Sequence, residues 1–240
     1  MIEQLDIILY VSFFIISVLV SFLINWLFLR FTRNLSLKNN KELNQERWKT
    51  DVKPSLGGFS FYIVFLISIS MASIFSQGSE NVLNNQVIGI LAASTLGFII
   101  GLADDTYNTN PLVKFMGQLT CAFILILMNV YIPVTGNLAF DYGVTTLWVI
   151  GLMNSINMLD NMDGITTTSS MTILLAALVF AFTGEAINMN YILLLLGVFG
   201  SLLGFLYFNW NPAKMYMGDT GSQFLGVFLA AISIIFFWQE

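Results

Sequence analysis

The feature that most constrains this chain is a succession of apolar blocks, each about 20 residues long and nearly free of charge, which is the length that crosses about 30 Å of hydrocarbon. Inside hydrocarbon, every backbone N–H and C=O of such a block must find its partner within the protein, which selects helices. The expected fold class is an all-α polytopic membrane protein of about eight transmembrane helices. The spans cover residues 7–29, 56–75, 87–103, 115–131, 145–159, 165–183, 191–208 and 224–238. They are apolar around the whole circumference, unlike amphipathic surface helices. Composition agrees: 57% of the chain is hydrophobic and 10% charged, whereas a soluble domain carries about 25% charged residues. No internal repeat is evident, and the chain reads as a single transmembrane domain over residues 1–240.

The nine basic residues orient these spans: Arg30, Arg33, Lys38, Lys41, Arg47, Lys49, Lys53, Lys114 and Lys214. With the N-terminus outside, all of them fall on the cytoplasmic side. The opposite connections hold only Glu80, Asp141 and Glu185. A Lys/Arg bias in short loops sets orientation, so both termini are expected outside. Acidic Glu3 and Asp6 ahead of a long first block argue against a cleavable signal peptide. The sequence has no histidine, which excludes His-ligated zinc, Ser-His-Asp catalysis and histidine general bases. The single cysteine, Cys121, lies in an apolar block and reads as a core residue, with no disulfide or thiolate cluster to join. No nucleic-acid partner is expected.

This topology carries five aspartates to one membrane face. Carboxylates beside a bilayer are costly and mark candidate functional sites. The third span ends in Gly101-Leu102-Ala103-Asp104-Asp105. Paired carboxylates suit a hard cation such as Mg²⁺, or one of them can accept a proton; the plainer reading is a polar helix end. The fifth span leads into Asn154-Ser155-Ile156-Asn157-Met158-Leu159-Asp160-Asn161-Met162-Asp163-Gly164. Asn154, Asn157 and Asp160 are spaced to share one helix face, a set of donors and acceptors suited to a base or ribose. Against that stands the general preference of Asn and Asp for helix ends and turns.

After the seventh span comes Asn209-Trp210-Asn211-Pro212-Ala213-Lys214-Met215-Tyr216-Met217-Gly218-Asp219-Thr220-Gly221-Ser222, expected as a loop. Its glycines permit close backbone approach, and amides ahead of the last helix can cradle a phosphate. Asp219 is the natural metal ligand, Lys214 a phosphate contact and Tyr216 a stacking surface. A fourth segment, Lys49 and Lys53-Pro54-Ser55-Leu56-Gly57-Gly58, places lysines where a lipid phosphate could reach them. Most of the wider basic stretch is explained by the positive-inside rule or by anionic lipid headgroups.

Together these segments resemble the polyprenyl-phosphate N-acetylhexosamine-1-phosphate transferase superfamily (glycosyltransferase family 4). It includes phospho-MurNAc-pentapeptide translocases and GlcNAc-1-phosphate transferases. Gly101 to Asp105 resembles its paired-aspartate motif and Asn154 to Gly164 its N-x-x-N-x-x-D-G-x-D-G motif. Asn209 to Ser222 is similar to N-x-x-P-A-x-x-F-M-G-D-x-G-S, and Pro54 to Gly58 to the early P-x-x-G-G turn. The resemblance implies transfer of a sugar-1-phosphate from a UDP-N-acetylhexosamine to undecaprenyl or another polyprenyl phosphate, with release of UMP. It implies Mg²⁺, with Mn²⁺ as a substitute, and a multi-pass location in the bacterial inner membrane among membrane lipids. A homodimer is also implied. By motif position, Asp104 and Asp105 are catalytic and Asp219 binds metal. Lys49, Asn157, Asp160, Asp163, Asn209, Lys214 and Tyr216 bind substrate.

Three departures stand out. Asn161 replaces the glycine usual after the first aspartate, Tyr216 replaces a phenylalanine, and the family's further spans and later histidine-containing loop have no counterpart here. The chain is therefore expected to be a shortened member, and a non-catalytic paralogue or fragment that binds lipid phosphate or a partner enzyme is the alternative. A cation- or proton-coupled transporter is a second alternative, but it would place ionisable groups near the midplane, often within inverted repeats.

Overall fold

The computed structural model describes residues 4–42, 53–75, 84–183 and 189–239. Among the described residues, eight helices follow one another: α1 (Gln4–Glu42), α2 (Gly57–Phe75), α3 (Asn85–Tyr107), α4 (Pro111–Leu127), α5 (Leu138–Leu159), α6 (Ile165–Thr183), α7 (Met189–Asn209) and α8 (Gly218–Phe237). Six are long and apolar enough to cross a membrane: α1, α2, α3, α6, α7 and α8. The α4 helix is apolar but shorter, and α5 carries polar groups at both ends. The all-helical reading holds. Several boundaries differ from the expected spans, and at the two that bear on the carboxylates polar residues are absorbed into the helix ends. Asp104 and Asp105 lie in the last turn of α3, and Asp219 lies in the first turn of α8 rather than in the preceding loop.

Asparagines set several of these ends. Asn84, Asn110 and Asn137 each accept a hydrogen bond from a backbone N–H in the first turn of the helix that follows, and Pro111 supplies the fixed φ favoured there. Asn108 closes α3 in the left-handed conformation, at φ 49°. The α3–α4 connection is thereby reduced to residues 108–110, so two helix ends are held side by side.

The centre of the bundle is α8, nearly all of which is buried. It packs against α2, α3, α5 and α6, while α7 packs against α1, α2 and α6. In a membrane such contacts depend on close packing rather than on expulsion of water, and small residues permit the approach. A Cβ on Gly101 of α3 would strike the Asp219 carbonyl, and one on Gly58 of α2 would strike the Gly221 backbone. Gly226 of α8 lies against the Met153 backbone of α5 in the same way. Aromatic rings fill the wider gaps: Tyr62 stacks on Phe98 with centroids 4.2 Å apart, and Phe65 meets Phe224 and Phe228 edge-on at 5.3 and 5.6 Å. Such pairs contribute about 0.5–1.5 kcal/mol each beyond their burial.

Candidate active site

The glycine contacts bring the C-terminal end of α3 against the N-terminal end of α8, and α4 and α5 close the same end of the bundle. Lys114, in the first turn of α4, occupies the middle. Its Nζ donates to Asp104 Oδ2 at 2.6 Å, Asp219 Oδ2 at 3.1 Å and Asn157 Oδ1 at 3.4 Å. Four helices thus converge on one ammonium. Asn157 Nδ2 donates to Asp219 Oδ1 at 2.5 Å and to Ser222 Oγ at 2.8 Å. The Asp104 side chain is 11% exposed and that of Lys114 16%, so their attraction is screened less than that of a surface pair. Asp104 Oδ1 also accepts from the Thr109 N–H and hydroxyl at 2.9 and 2.6 Å. The short α3–α4 turn therefore fixes the carboxylate's orientation.

Asp105 does different work from its neighbour. Its Oδ1 accepts from the Asp219 N–H at 3.0 Å, and its Oδ2 accepts from the Thr220 N–H at 2.8 Å and the Thr220 hydroxyl at 2.5 Å. A carboxylate from α3 thereby caps the N-terminus of α8, where backbone N–H groups lack intrahelical partners and the helix dipole favours negative charge. Gly218, at φ 74° and packed against Asp105 and Ser55, makes the preceding bend that aims these N–H groups at α3.

Three further candidates lie on the turn after α5 and on the loop before α8. Asp160 ends α5. Burial, followed by the negative charge of Asp219, pushes its carboxyl up to about 8, against an opposing pull from the Gly218 N–H. Asp163 Oδ2 accepts from the Ala213 N–H at 2.9 Å and from Asn211 Nδ2 at 3.2 Å, tying the α5–α6 turn to the α7–α8 loop. The Tyr216 hydroxyl accepts from Lys53 Nζ at 3.2 Å, and the same ammonium lies 5.1 Å from the ring centroid. That hydrogen bond, the largest influence on it, holds the Lys53 ammonium above its usual range.

Two sequence candidates lie away from the cluster, and one is outside the described residues. Asn209 is 1% exposed. Its Oδ1 accepts from the Gly164 N–H and the Thr167 hydroxyl, and its Nδ2 donates to the Met215 carbonyl. It latches the loop from within. Lys214 Nζ lies over the exposed Tyr207 ring, 5.1 Å from its centroid. Lys49 falls in the segment that is not described.

In the sequence Lys114 marks topology alone, and Thr109, Ser222 and the capping role of Asp105 carry no assignment of their own. The available signal for Lys114 was its position, one lysine at the head of an apolar helix that begins within a few residues of paired aspartates.

The family model for glycosyl transferase family 4 matches residues 87–237, which contain every part of this cluster. Among curated proteins, the chain is 28% identical over 193 residues to a Bacillus subtilis protein named probable undecaprenyl-phosphate N-acetylglucosaminyl 1-phosphate transferase; the match covers 77% of this chain and 51% of that protein. It is 30% identical over 198 residues to the decaprenyl-phosphate N-acetylglucosaminephosphotransferase of Mycobacterium leprae, covering 75% and 50%. It is 33% identical over 228 residues to the phospho-N-acetylmuramoyl-pentapeptide-transferase of Streptococcus pneumoniae serotype 19F, covering 86% and 67%. The chain thus spans about half the length of the first two relatives and two thirds of the third.

Proposed function

Because the chain belongs to glycosyl transferase family 4, we propose that it transfers a sugar-1-phosphate from a UDP-N-acetylhexosamine to a polyprenyl phosphate in a bacterial inner membrane, with its site facing the cytoplasm. The observation that carries this reading is the convergence of Asp104, Lys114, Asn157 and Asp219 from four helices at one end of the bundle. An oxygen of the lipid phosphate attacks the β-phosphorus of the donor, the bond from that phosphorus to UMP breaks, and UMP leaves with the bridging oxygen. Little covalent chemistry is left for the protein. Its task is to hold two anionic substrates in line and to neutralise their charge.

Among the described residues, no three acidic, His or Cys side chains gather closely enough to cage a metal by themselves. The donor set present, two carboxylates and an amide oxygen around Lys114, instead fits Mg²⁺, which takes one or two protein carboxylates and completes its shell with water and substrate phosphate. Asp219 and Asp104 are the residues that would hold it, and Mn²⁺ can substitute. When bound, the ion supplies positive charge against the phosphate oxygens. Lys114, bonded to the same two carboxylates, adds a second positive charge at the same place.

The nucleotide is assigned to the other side of the cluster. Asp160 and Asp163 border it, and Tyr216 offers an aromatic face beside the Lys53 charge. Asn209 acts there by holding the loop. The three-residue turn 108–110 leaves little chain with which to recognise a peptide, which favours a simple N-acetylhexosamine donor. The direct test is transfer in proteoliposomes with undecaprenyl phosphate, Mg²⁺ and a panel of labelled UDP-sugars. Lipid-linked product that disappears in Asp104→Asn supports the assignment. No product from any donor, with monodisperse protein, removes it.

A further inference from the structure

A second polar layer lies one helical turn deeper in the bundle, beneath the ammonium-centred cluster. Gln118 follows Lys114 by four residues on α4, Asn154 precedes Asn157 by three on α5, and Gln223 follows Asp219 by four on α8. Helix direction makes each of these offsets a step of one turn, about 5.4 Å, away from the membrane face. The three amides bond to one another. Gln118 Nε2 donates to Asn154 Oδ1 at 3.2 Å and to Gln223 Oε1 at 3.1 Å, and Asn154 Nδ2 donates back to Gln118 Oε1 at 2.9 Å. Gln118 is 1% exposed and Gln223 0%, while Asn154 lies at the exposed edge.

The pairing is uneven. Gln118 and Asn154 exchange two bonds, which ties α4 to α5. Gln223 Nε2 is buried and has no partner among the described residues, so the bond to Gln118 is what holds its amide. Behind Gln223, a Cβ on Gly97 would come within 3.1 Å of the Gln223 backbone carbonyl oxygen, so α3 packs directly against this turn of α8. In an apolar interior a displaced amide finds no water to replace its partner. Rotation or sliding of α8 would therefore break the Gln223 bond and, one turn above, withdraw Asp219 from Asn157 and Lys114.

We propose that Gln118, Asn154 and Gln223 are positioning residues: their amide layer sets the rotation of α8 against α4 and α5 at which Asp219 joins Asp104 and Asn157, and so sets the site's affinity for a divalent cation. This rests on reading the cluster above it as a cation-dependent site. The layer touches no reacting atom, and its effect passes through the helix register.

The test is Mn²⁺ binding followed by electron paramagnetic resonance on detergent-solubilised protein, read beside transfer activity. Gln223→Met keeps side-chain length and removes the amide. It is expected to raise half-saturating Mn²⁺ between about three- and twenty-fold, the range that interhelical side-chain bonds in membranes carry. Transfer is expected to return to within about threefold of wild type at saturating cation, a recovery that loss of folding would not give. Gln118→Met cuts the same α4–α8 bond from the other side and is expected to shift the midpoint in the same direction, so the inference does not depend on one variant folding. Unchanged Mn²⁺ midpoints in both variants, with normal binding by the wild type, overturn the positioning role alone. A wild type that binds no Mn²⁺ overturns the reading of the site, and the inference with it.

Discussion

Replacing Asp105 by Asn separates a capping carboxylate from a reacting one. In the structure its two oxygens receive three donors, the Asp219 and Thr220 N–H groups and the Thr220 hydroxyl. An amide at this position keeps one acceptor oxygen and turns an NH₂ toward donors that it cannot satisfy. At least one N–H in the first turn of α8 is orphaned, at a cost of about 1–3 kcal/mol. Loss of the negative charge at a helix N-terminus removes about 0.3–1 kcal/mol more. The sum, about 1.3–4 kcal/mol, lowers the equilibrium constant for holding Asp219 in place by roughly ten- to a thousand-fold. Thermal unfolding in detergent, followed by tryptophan fluorescence, should show a lowered midpoint in Asp105→Asn, and transfer should fall with it. Abolished transfer at an unchanged midpoint would refute the capping argument and place Asp105 on the reacting atoms.

Gly101→Ala puts a Cβ into the Asp219 carbonyl, and overpacking of this kind costs about 1–3 kcal/mol; transfer should drop by roughly ten- to a hundred-fold, and wild-type rates would mean that α3 and α8 separate freely. Asp163→Ala removes the anchor of Asn211 and Ala213, so KM for the UDP-sugar should rise by about tenfold, the factor that a loss of about 1.4 kcal/mol gives, with kcat little changed; an unchanged KM removes Asp163 from the nucleotide side. Asp160, pushed up to about 8 by burial and by Asp219, holds its proton in the folded protein over a pH range in which the unfolded carboxyl has already lost it. Its contribution to stability is therefore full below about pH 4 and is lost as pH rises toward about 8. The melting midpoint measured without divalent cation should decline across that window, and Asp160→Asn should flatten the decline; the same slope in the variant would contradict the assignment.

The helices were legible because an apolar run in a membrane has one structural outcome. Their ends were less so. Asp104 and Asp105 read as residues beyond a span, yet both lie inside α3, since Lys114 and the α8 N-terminus satisfy them. Asp219 read as part of a loop for a similar reason: the positive φ of Gly218 starts α8 immediately before it. The acidic motifs were visible as composition and spacing, but the difference between Asp104, which faces an ammonium, and Asp105, which faces a helix end, exists only once α8 is placed. Asn209 and Lys214 show the same limit. Both stand in a motif that points to a ligand, and the fold turns one inward to three backbone and hydroxyl partners and the other over Tyr207. Gln118 and Gln223 are single amides in long apolar runs, and nothing in either run indicates that they meet.

Under the proposed function, Asp104 and Asp219, from different helices, work as one unit around Lys114. The decisive measurement is the transfer rate of Asp104→Asn, Asp219→Asn and the double variant in proteoliposomes, each at saturating Mg²⁺. Residues that act as a unit are strongly non-additive. Each single variant should therefore fall to within about tenfold of the double, because either loss dismantles the same site. Independent losses that multiply in the double variant, or near wild-type transfer in either single, would contradict the account.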